Sequence, residues 1–319
     1  MNLLDLFSGI GGFHLGLERA GFKINSFNSE INKYANQVYK NNFKNSTYVG
    51  SVADVRGSDL PRINAITFGS PCQDFSLAGK QKGMGGERSS LILEAIRLVK
   101  ECRPDFFIWE NVKGTFSSNS GEDFAAILQA FTNIGGYRLE WQLLNTKWFL
   151  PQNRERVYLV GYTSNKSGGQ IFPITRESKG TIKNNKINIG SARTRKYMNQ
   201  AQKLEIRNDN STNTLTSVQK DNYVLGYSRD RKGKVMSRHK KKLANTLHAS
   251  SGSGNNTDQF INSIRKLTPL ECERLQGFPD DWTKFGTEGL ISNTQRYKMC
   301  GNAVTVDVVE AVGKQILKL

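Results

Sequence analysis

Short apolar runs that alternate with helical patterns are the feature that most constrains the fold of this chain. The first unit is a strand predicted over residues 3–7, a tight turn over residues 8–12, and a helix that ends at Gly21. Further strands are predicted over residues 22–28, 64–68, 105–109, 137–144 and 156–162, and a helix over residues 91–100. This alternation is typical of an α/β domain with a doubly wound, mostly parallel sheet and right-handed crossovers.

The composition changes after Tyr162. Residues 163–263 are rich in Asn, Ser, Lys and Gly, and they contain 19 Lys+Arg against 6 Asp+Glu, so this segment carries +13 of the net charge of +17. Lysines and arginines that neutralise phosphates release counterions, which favours a polyanionic partner such as nucleic acid. A basic surface that only keeps the protein soluble is the alternative.

Two helices are predicted near the end of the chain. Thr268-Pro269-Leu270-Glu271 has the pattern of a capping box, and Gly277 is expected to close that short helix. Apolar residues at a spacing of four, from Val304 to Ile316, predict a helix with one apolar face. We expect this last helix to pack on the first domain's sheet.

The four cysteines, Cys72, Cys102, Cys272 and Cys300, are widely separated and form no Cys-x-x-Cys pair. A zinc site or a disulfide framework is therefore not expected. The chain shows neither a signal-peptide core nor a run long enough to span a bilayer. These observations predict an intracellular, cytoplasmic protein with no membrane partner and no metal.

Three groups of residues suggest chemistry. Cys72 follows an apolar run, and since ligands bind at the carboxyl ends of strands in open α/β sheets, its thiol can reach a substrate; a buried, inert cysteine is the alternative. Glu110 ends another apolar run, where a carboxylate must be paired or used. Arg154 and Arg156 precede a further strand, so one can hold a substrate while the other pairs with an acid, although solvated arginines fit the same pattern.

The glycine turn and Glu30 together suggest a nucleoside cofactor. Glu30 follows the second predicted strand, where its carboxylate can accept hydrogen bonds from ribose hydroxyls. The spacing Gly9-x-Gly11-Gly12 differs from Gly-x-Gly-x-x-Gly, which disfavours a dinucleotide and hence a dinucleotide-dependent oxidoreductase. Structural glycines in a tight turn are the alternative.

Six segments in a fixed order resemble the DNA (cytosine-5)-methyltransferase family of the bacterial restriction-modification type. They are DLFSGIGGF (5–13), PCQDFS (71–76), ENV (110–112), QNRER (152–156), residues 265–279 and GNAV (301–304). With this resemblance we assign residues 1–172 to a catalytic and cofactor-binding domain, 173–290 to a smaller basic target-recognition domain and hinge, and 291–319 to a segment that returns to the catalytic domain.

The resemblance implies roles for the catalytic candidates Cys72, Glu110, Arg154 and Arg156. Cys72 would add to carbon 6 of a cytosine flipped out of duplex DNA, which makes carbon 5 nucleophilic toward the methyl group of S-adenosylmethionine. Glu110 would hold ring nitrogen 3 and the exocyclic amine, and Arg156 would contact the base oxygen. Loss of the carbon 5 proton would then release the cysteine.

The resemblance also implies a cofactor site. Its residues would be Phe7, Gly9, Ile10, Gly12, Glu30, Ile31, Ser51, Val52, Gly69, Pro71, Leu91, Asn302, Ala303 and Val304. Ser51 stands where family members often have an aspartate that contacts the adenine amine, and Ile31 where they often have an aromatic residue or an aspartate. These two departures bear on adenine binding and leave the identity of the cofactor unchanged.

Double-stranded DNA is the expected partner. Residues 73–90 would form a mobile, glycine-rich basic loop over the DNA, and residues 228–238 and 248–257 would read bases. The DNA-binding candidates are Gln73, Ser76, Lys80, Arg88, Arg229, Arg231, Lys234 and Arg238. We expect a monomer, with any cognate restriction endonuclease acting separately. The alternatives are RNA cytosine methylation on the same fold and a non-catalytic DNA-binding relative.

Overall fold

The computed structural model of the protein describes residues 1–70, 91–163, 169–175, 188–193, 203–206, 211–215, 222–225 and 264–319. The helices in these ranges are α1 (Gly12–Ala20), α2 (Lys33–Asn42), α3 (Leu91–Cys102), α4 (Glu122–Ile134), α5 (Pro269–Leu275), α6 (Asn293–Asn302) and α7 (Val306–Ile316). The first eight strands are β1 (Asn2–Leu6), β2 (Asn25–Ser29), β3 (Thr47–Tyr48), β4 (Ala65–Phe68), β5 (Phe106–Val112), β6 (Tyr137–Asn145), β7 (Gln152–Asn153) and β8 (Glu155–Thr163). The remaining strands are β9 (Asn188–Arg193), β10 (Lys203–Ile206), β11 (Thr212–Asn213), β12 (Asn222–Leu225), β13 (Ile264–Lys266), β14 (Phe285–Gly286) and β15 (Gly289–Leu290).

A seven-stranded sheet forms the centre of the first domain, in the order β3-β2-β1-β4-β5-β8-β6. The first five strands run parallel, and β8 pairs antiparallel with both β5 and β6. Every residue of β4 is buried, as expected for a central strand that is covered on both faces. The predicted doubly wound, mostly parallel α/β fold is confirmed.

Helices cover both faces of this sheet. On one face, α3 and α4 contribute Leu98 and Phe131 to an apolar cluster with Phe68 and Trp109. On the other face, α1 and α7 pack on the sheet through side chains such as Leu17 and Val312. The predicted return of the C-terminal helix to the first domain's sheet is therefore confirmed.

The local signals place most element ends correctly. Gly21 ends α1 with φ of 115°, and its N–H bonds to the carbonyls of Glu18 and Leu17. The capping box of α5 is present, with Thr268 and Glu271 each accepting from the other's backbone N–H. Helix α7 begins at Val306, two residues later than the apolar spacing suggests, because Thr305 still has extended backbone angles.

Two strand boundaries differ from the sequence prediction by three residues, and the others by no more than one. Strand β2 begins at Asn25, where its parallel register with β1 begins at Asn2. Strand β5 continues to Val112, because it pairs with β8 as far as the Val112–Arg156 position after its register with β4 has ended. Glu110 therefore lies inside a strand instead of at its end.

The basic segment contributes three strands of a second, antiparallel sheet in the order β10-β9-β12-β13, and β13 follows directly after that segment. One short strand of the same segment, β11, pairs parallel with β7 of the first domain. In the parts of the chain that the structure describes, no helix is both long and apolar enough to cross a bilayer.

Candidate functional site

The turn between β1 and α1 brings backbone amides to the carboxyl edge of the central sheet. Phe7, Gly9 and Gly11 all have positive φ, at 51°, 54° and 85°. A left-handed backbone is cheap for glycine, whereas Phe7 adopts it at a cost that the surrounding packing must offset. The N–H of Ser8 bonds to the carbonyl of Ser29 at 3.1 Å, which ties the turn to the end of β2.

Glu30 lies at the opening of this turn with a fixed carboxylate. Its Oε2 accepts from the N–H of Gly9 at 2.9 Å, and its Oε1 accepts from the N–H of Asn32 at 2.7 Å. An ionised carboxylate has about four acceptor positions, so each oxygen can accept a further hydrogen bond. The carboxylate is thus oriented for a ligand with two adjacent hydroxyls, such as a ribose.

Residues 301–305, which we call the C-terminal strap, pack directly against the glycine turn. A Cβ on Gly12 would lie 2.7 Å from Cγ2 and 3.0 Å from the carbonyl oxygen of Val304. Ala303 and Val304 are buried, and Asn302 is exposed at the same end of the sheet. Only glycine at position 12 permits this close approach.

The two arginines of the QNRER segment contact different neighbours. Arg154 is buried, and its Nη1 and Nη2 donate to the carbonyls of Gly301 and Ala303 at 3.2 and 2.9 Å. Arg156 instead forms an ion pair with Glu110, with 3.1 Å between Nε and Oε1. The contacts of Arg154 are therefore with the strap, and those of Arg156 are with the candidate catalytic carboxylate.

Glu110 lies in β5, one residue beyond the last position at which β5 pairs with β4, and its side chain is buried. Its Oε2 is 3.2 Å from the position of a Cβ on Gly69, so a glycine there leaves room for the carboxylate. Tyr158 lies beside it in β8, where burial and then the charge of Glu110 raise the pKa of its hydroxyl far above the usual range. That hydroxyl therefore remains neutral at any physiological pH.

The other predicted cofactor residues differ in how exposed they are. Ile31 is 82% exposed beside Glu30, whereas Ile10 and Val52 are buried. Phe7 and Leu91 are partly buried against the core, and Ser51 is half-buried. The exposed apolar face of Ile31 is available to cover a flat ring.

Several predicted residues lie outside the described part of the chain. They are Pro71, Cys72, Gln73, Ser76, Lys80, Arg88, Arg229, Arg231, Lys234 and Arg238, together with the predicted base-reading segments 228–238 and 248–257. In sequence, the last described residue before Cys72 is Ser70, which is buried against β5.

A buried polar network links the basic segment to the C-terminal strap, and the sequence analysis did not identify it. Gln152 accepts from the N–H of Leu215 at 3.0 Å and donates to the carbonyl of Leu275 at 2.7 Å. Gln276 donates to the carbonyl of Cys300 at 2.7 Å and accepts from the hydroxyl of Thr305 at 3.0 Å. These contacts join residues that are far apart in sequence, so no local pattern reports them.

Asp5 is a second group that the sequence analysis did not single out. It is fully buried in β1 beneath the glycine turn, and the hydroxyl of Thr67 donates to its Oδ1 at 2.8 Å. Burial is the main cause that raises its pKa to about 8, while the hydrogen bond from Thr67 opposes the rise. Asp5 is the first residue of the DLFSGIGGF segment, and this position was the only feature of the sequence that could have pointed to it.

Comparison with solved structures defines the class of protein first. The chain is similar to a methyltransferase of Entamoeba histolytica, with 19% sequence identity and a TM-score of 0.68. The match covers 100% of this chain and 98% of that one. The chain is also similar to the Dnmt2 methyltransferase of S. pombe, with 20% identity, a TM-score of 0.65 and the same coverage. The seven-stranded sheet with helices on both faces is thus that of an S-adenosylmethionine-dependent methyltransferase fold.

Sequence comparison then gives the family. The model of the C-5 cytosine-specific DNA methylase family matches residues 1–318. The type II methyltransferase M.Bsp6I of a Bacillus species is 31% identical over 100% of this chain and 99% of its own length. The type II methyltransferase M.NgoBI of Neisseria gonorrhoeae is 33% identical over 98% of this chain and 91% of its own length.

The chain belongs to the C-5 cytosine-specific DNA methylase family. It is a DNA (cytosine-5)-methyltransferase that uses S-adenosylmethionine and acts on DNA, which confirms the resemblance drawn from the six segments. The matching family model is that of a DNA methylase and these curated relatives are named type II methyltransferases, so RNA methylation and a non-catalytic relative are not favoured.

Proposed function

We propose that the enzyme methylates carbon 5 of a cytosine flipped out of a specific short duplex sequence, and that Cys72, Glu110 and Arg156 carry the chemistry. The observation that supports this assignment is the Glu110–Arg156 ion pair, which lies just beyond the carboxyl end of β4, beside the last residues of β5. Ligands bind at this edge of an open α/β sheet. In sequence, Cys72 comes two positions after Ser70, which is the last described residue after β4.

Each of the three side chains has a distinct task. The carboxyl group of Glu110 binds ring nitrogen 3 and the exocyclic amine, and the Arg156 guanidinium orients that carboxyl group and donates to the base oxygen. The Cys72 thiolate adds to carbon 6, and the electron pair of the 5,6 double bond becomes available at carbon 5. Once carbon 5 is substituted, its proton leaves to water or a base, the double bond re-forms and the thiolate departs.

The turn, Glu30 and the C-terminal strap would hold the cofactor. The paired acceptors of Glu30 suit a ribose, and the cradle that only glycine at position 12 permits brings Val304 against the turn. S-adenosylmethionine, when bound there, supplies the methyl group. Arg154 acts on this site through the strap, so we assign it a positioning role and not a contact with the base.

The basic segment would select the DNA sequence. Its net charge of +13 supports phosphate contacts, and relatives such as M.Bsp6I and M.NgoBI are named type II methyltransferases. We therefore propose that the domains divide at residues 172 and 290 and that residues 73–90 form a loop over the DNA. We also propose DNA-reading roles for Arg229, Arg231, Lys234 and Arg238. We further propose a cytoplasmic monomer whose cognate restriction endonuclease, where one exists, is a separate protein.

Substitution of Cys72 tests the mechanism. We expect Cys72→Ser to bind duplex DNA and cofactor normally but to transfer no methyl group, because a neutral hydroxyl does not add to carbon 6 at neutral pH. Transfer of tritium-labelled methyl groups to DNA measures turnover. Cys102→Ser is the matched control, since Cys102 is a free, half-buried thiol at the end of α3 and should be dispensable. Turnover by Cys72→Ser at the wild-type rate would exclude the mechanism.

A further inference from the structure

The indole of Trp282 holds the glycine turn from the side of the C-terminal segment. Its Nε1–H donates to the carbonyl of Ile10 at 2.9 Å. Ile10 has an exposed fraction of only 1%, so this carbonyl lies away from bulk water. Buried backbone carbonyls need a donor, and here the donor is a side chain 272 residues further along the chain.

This bond fixes one peptide unit of the turn from both sides. The N–H of Gly11 belongs to the same peptide unit as the Ile10 carbonyl, and it donates to the carbonyl of Ser8 at 2.9 Å. Because a peptide unit is planar, the two bonds together set its orientation. The N–H of Gly9, which orients the carboxylate of Glu30, lies in the same turn, so a tilt of this unit disturbs that carboxylate as well.

The rings behind the turn support the same arrangement. The ring of Trp282 meets the ring of Phe43 edge to face, with 5.5 Å between the centroids and 68° between the planes. Phe43 in turn stacks on His14 with 3.7 Å between the centroids. A Cβ on Gly11 would overlap the ring of Phe43, so this aromatic group packs directly against the backbone of the turn.

Trp282 itself is held by three helices. The N–H of Thr283 donates to the buried carboxylate of Glu273 in α5 at 2.9 Å, and Arg296 in α6 donates to the same oxygen at 2.9 Å. Asn42 at the end of α2 donates to the carbonyl of Trp282 at 3.1 Å. The indole is therefore a fixed support, and the turn is the part that moves when the bond between them is lost.

We propose that Trp282 is a positioning residue for S-adenosylmethionine, whose N–H holds the glycine turn in the conformation that binds the cofactor. The proposal rests on the proposed function, in which the turn and Glu30 hold the cofactor. A tryptophan that only fills space would change stability alone. The deciding readouts are therefore the Kd and KM for the cofactor, measured far below the unfolding temperature.

Trp282→Phe keeps an aromatic ring and removes the N–H. We expect the Kd for S-adenosylmethionine in calorimetry to rise roughly fivefold or more, because the turn can tilt in the free enzyme and must be ordered again on binding. The KM for S-adenosylmethionine should rise by a similar factor. Both kcat at saturating cofactor and the KM for a duplex with the enzyme's mapped recognition sequence should stay within about twofold of the wild type.

An isosteric variant separates the N–H from the shape of the ring. β-(3-Benzothienyl)alanine, introduced at position 282 by amber suppression, carries a sulfur in place of the N–H and has nearly the same shape as tryptophan. We expect this variant to raise the Kd as Trp282→Phe does. Wild-type affinity would show that the ring and not the bond supports the turn, and would overturn the proposal. This variant also decides the matter if Trp282→Phe does not fold.

Two controls complete the experiment. Trp141→Phe changes a tryptophan of β6 that is 47% exposed, and it should bind the cofactor as the wild type does. Glu30→Ala should weaken binding strongly, since it removes the acceptors assigned to the ribose. If Glu30→Ala binds normally, the cofactor site of the proposed function is wrong. If Glu30→Ala binds weakly while both changes at Trp282 leave the Kd within about twofold of the wild type, only the role of Trp282 is refuted.

Discussion

Replacing Gly12 with alanine perturbs the contact between the glycine turn and the C-terminal strap. The added Cβ would lie 2.7 Å from Cγ2 of Val304 and 3.0 Å from its carbonyl oxygen. Ordinary contacts of a Cβ begin near 3.4 Å, so the strap must retreat by about 0.7 Å. It cannot retreat freely, because Arg154 holds Ala303 and the hydroxyl of Thr146 lies 2.9 Å from that of Thr305.

Overpacking of this kind typically costs about 1–3 kcal/mol. If about 1–2 kcal/mol of that cost is relieved in the free enzyme and returns when the cofactor binds, the Kd for S-adenosylmethionine rises roughly five- to thirtyfold. Titration calorimetry measures the Kd, and thermal unfolding measures the remaining loss of stability. We expect both to change in Gly12→Ala.

Two variants control the Gly12 experiment. A Cβ on Gly114 would meet nothing closer than 3.8 Å, so Gly114→Ala should bind the cofactor as the wild type does. Adding Val304→Ala to Gly12→Ala removes the Cγ2 contact but leaves the carbonyl contact, so it should restore part of the affinity. If Gly12→Ala binds the cofactor within twofold of the wild type and is equally stable, then the strap does not form part of the cofactor site.

Three further predictions follow from buried polar groups. Burial raises the pKa of Asp5 to about 8, so the folded state keeps a proton that the unfolded state releases, and stability should fall as the pH rises from about 4 to about 8. Urea unfolding at pH 5 and pH 8 should show this loss, on the order of a few kcal/mol, in the wild type but not in Asp5→Asn. The same pH dependence in both proteins would contradict this assignment. Arg154→Lys replaces the planar fork, whose two nitrogens each donate to one carbonyl, with a single nitrogen that is not placed to reach both, so the Kd for the cofactor should rise roughly tenfold in calorimetry. An unchanged Kd would show that the strap does not need its bond at Ala303. Gln152→Leu removes the acceptor for the N–H of Leu215 and should destabilise the protein by about 1–3 kcal/mol in urea unfolding; wild-type stability would show that this bond is replaceable.

The elements predicted correctly are those whose signals are local. The end of α1 follows from Gly21, and the start of α5 follows from the capping box between Thr268 and Glu271. These signals operate within four residues, and tertiary packing did not override them. The parallel sheet follows similarly from apolar runs such as that of β4.

Two features that the sequence analysis missed, helix α2 and the end of β5, have weak local signals or depend on distant partners. Helix α2 is mostly polar and buries only Ala35, Val38 and Tyr39, so its apolar pattern is weak, and the cap formed by Asn32 defines its start. The end of β5 depends on β8, which lies about forty residues later in the chain.

The candidate site shows the same division between local and distant signals. Its chemical residues Glu30, Glu110 and Arg156 could be named from motifs, because their types and order carry the resemblance. The partners of Arg154 and Ser70 could not, since Arg154 contacts a segment that is about 150 residues away and Ser70 contacts one that is about 40 residues away. Long-range contacts of buried polar groups leave no periodic trace in the sequence.

The central claim is that this enzyme places methyl groups on carbon 5 of cytosine in one short DNA sequence by means of Cys72. Base-resolution mapping of 5-methylcytosine in the DNA of a methylation-free host tests it most directly. With the wild-type protein, we predict 5-methylcytosine at one position of a single recurring sequence, and none in cells that express Cys72→Ala at the same level. Absence of any modified sequence with the wild type, or an equal pattern with Cys72→Ala, would contradict the account.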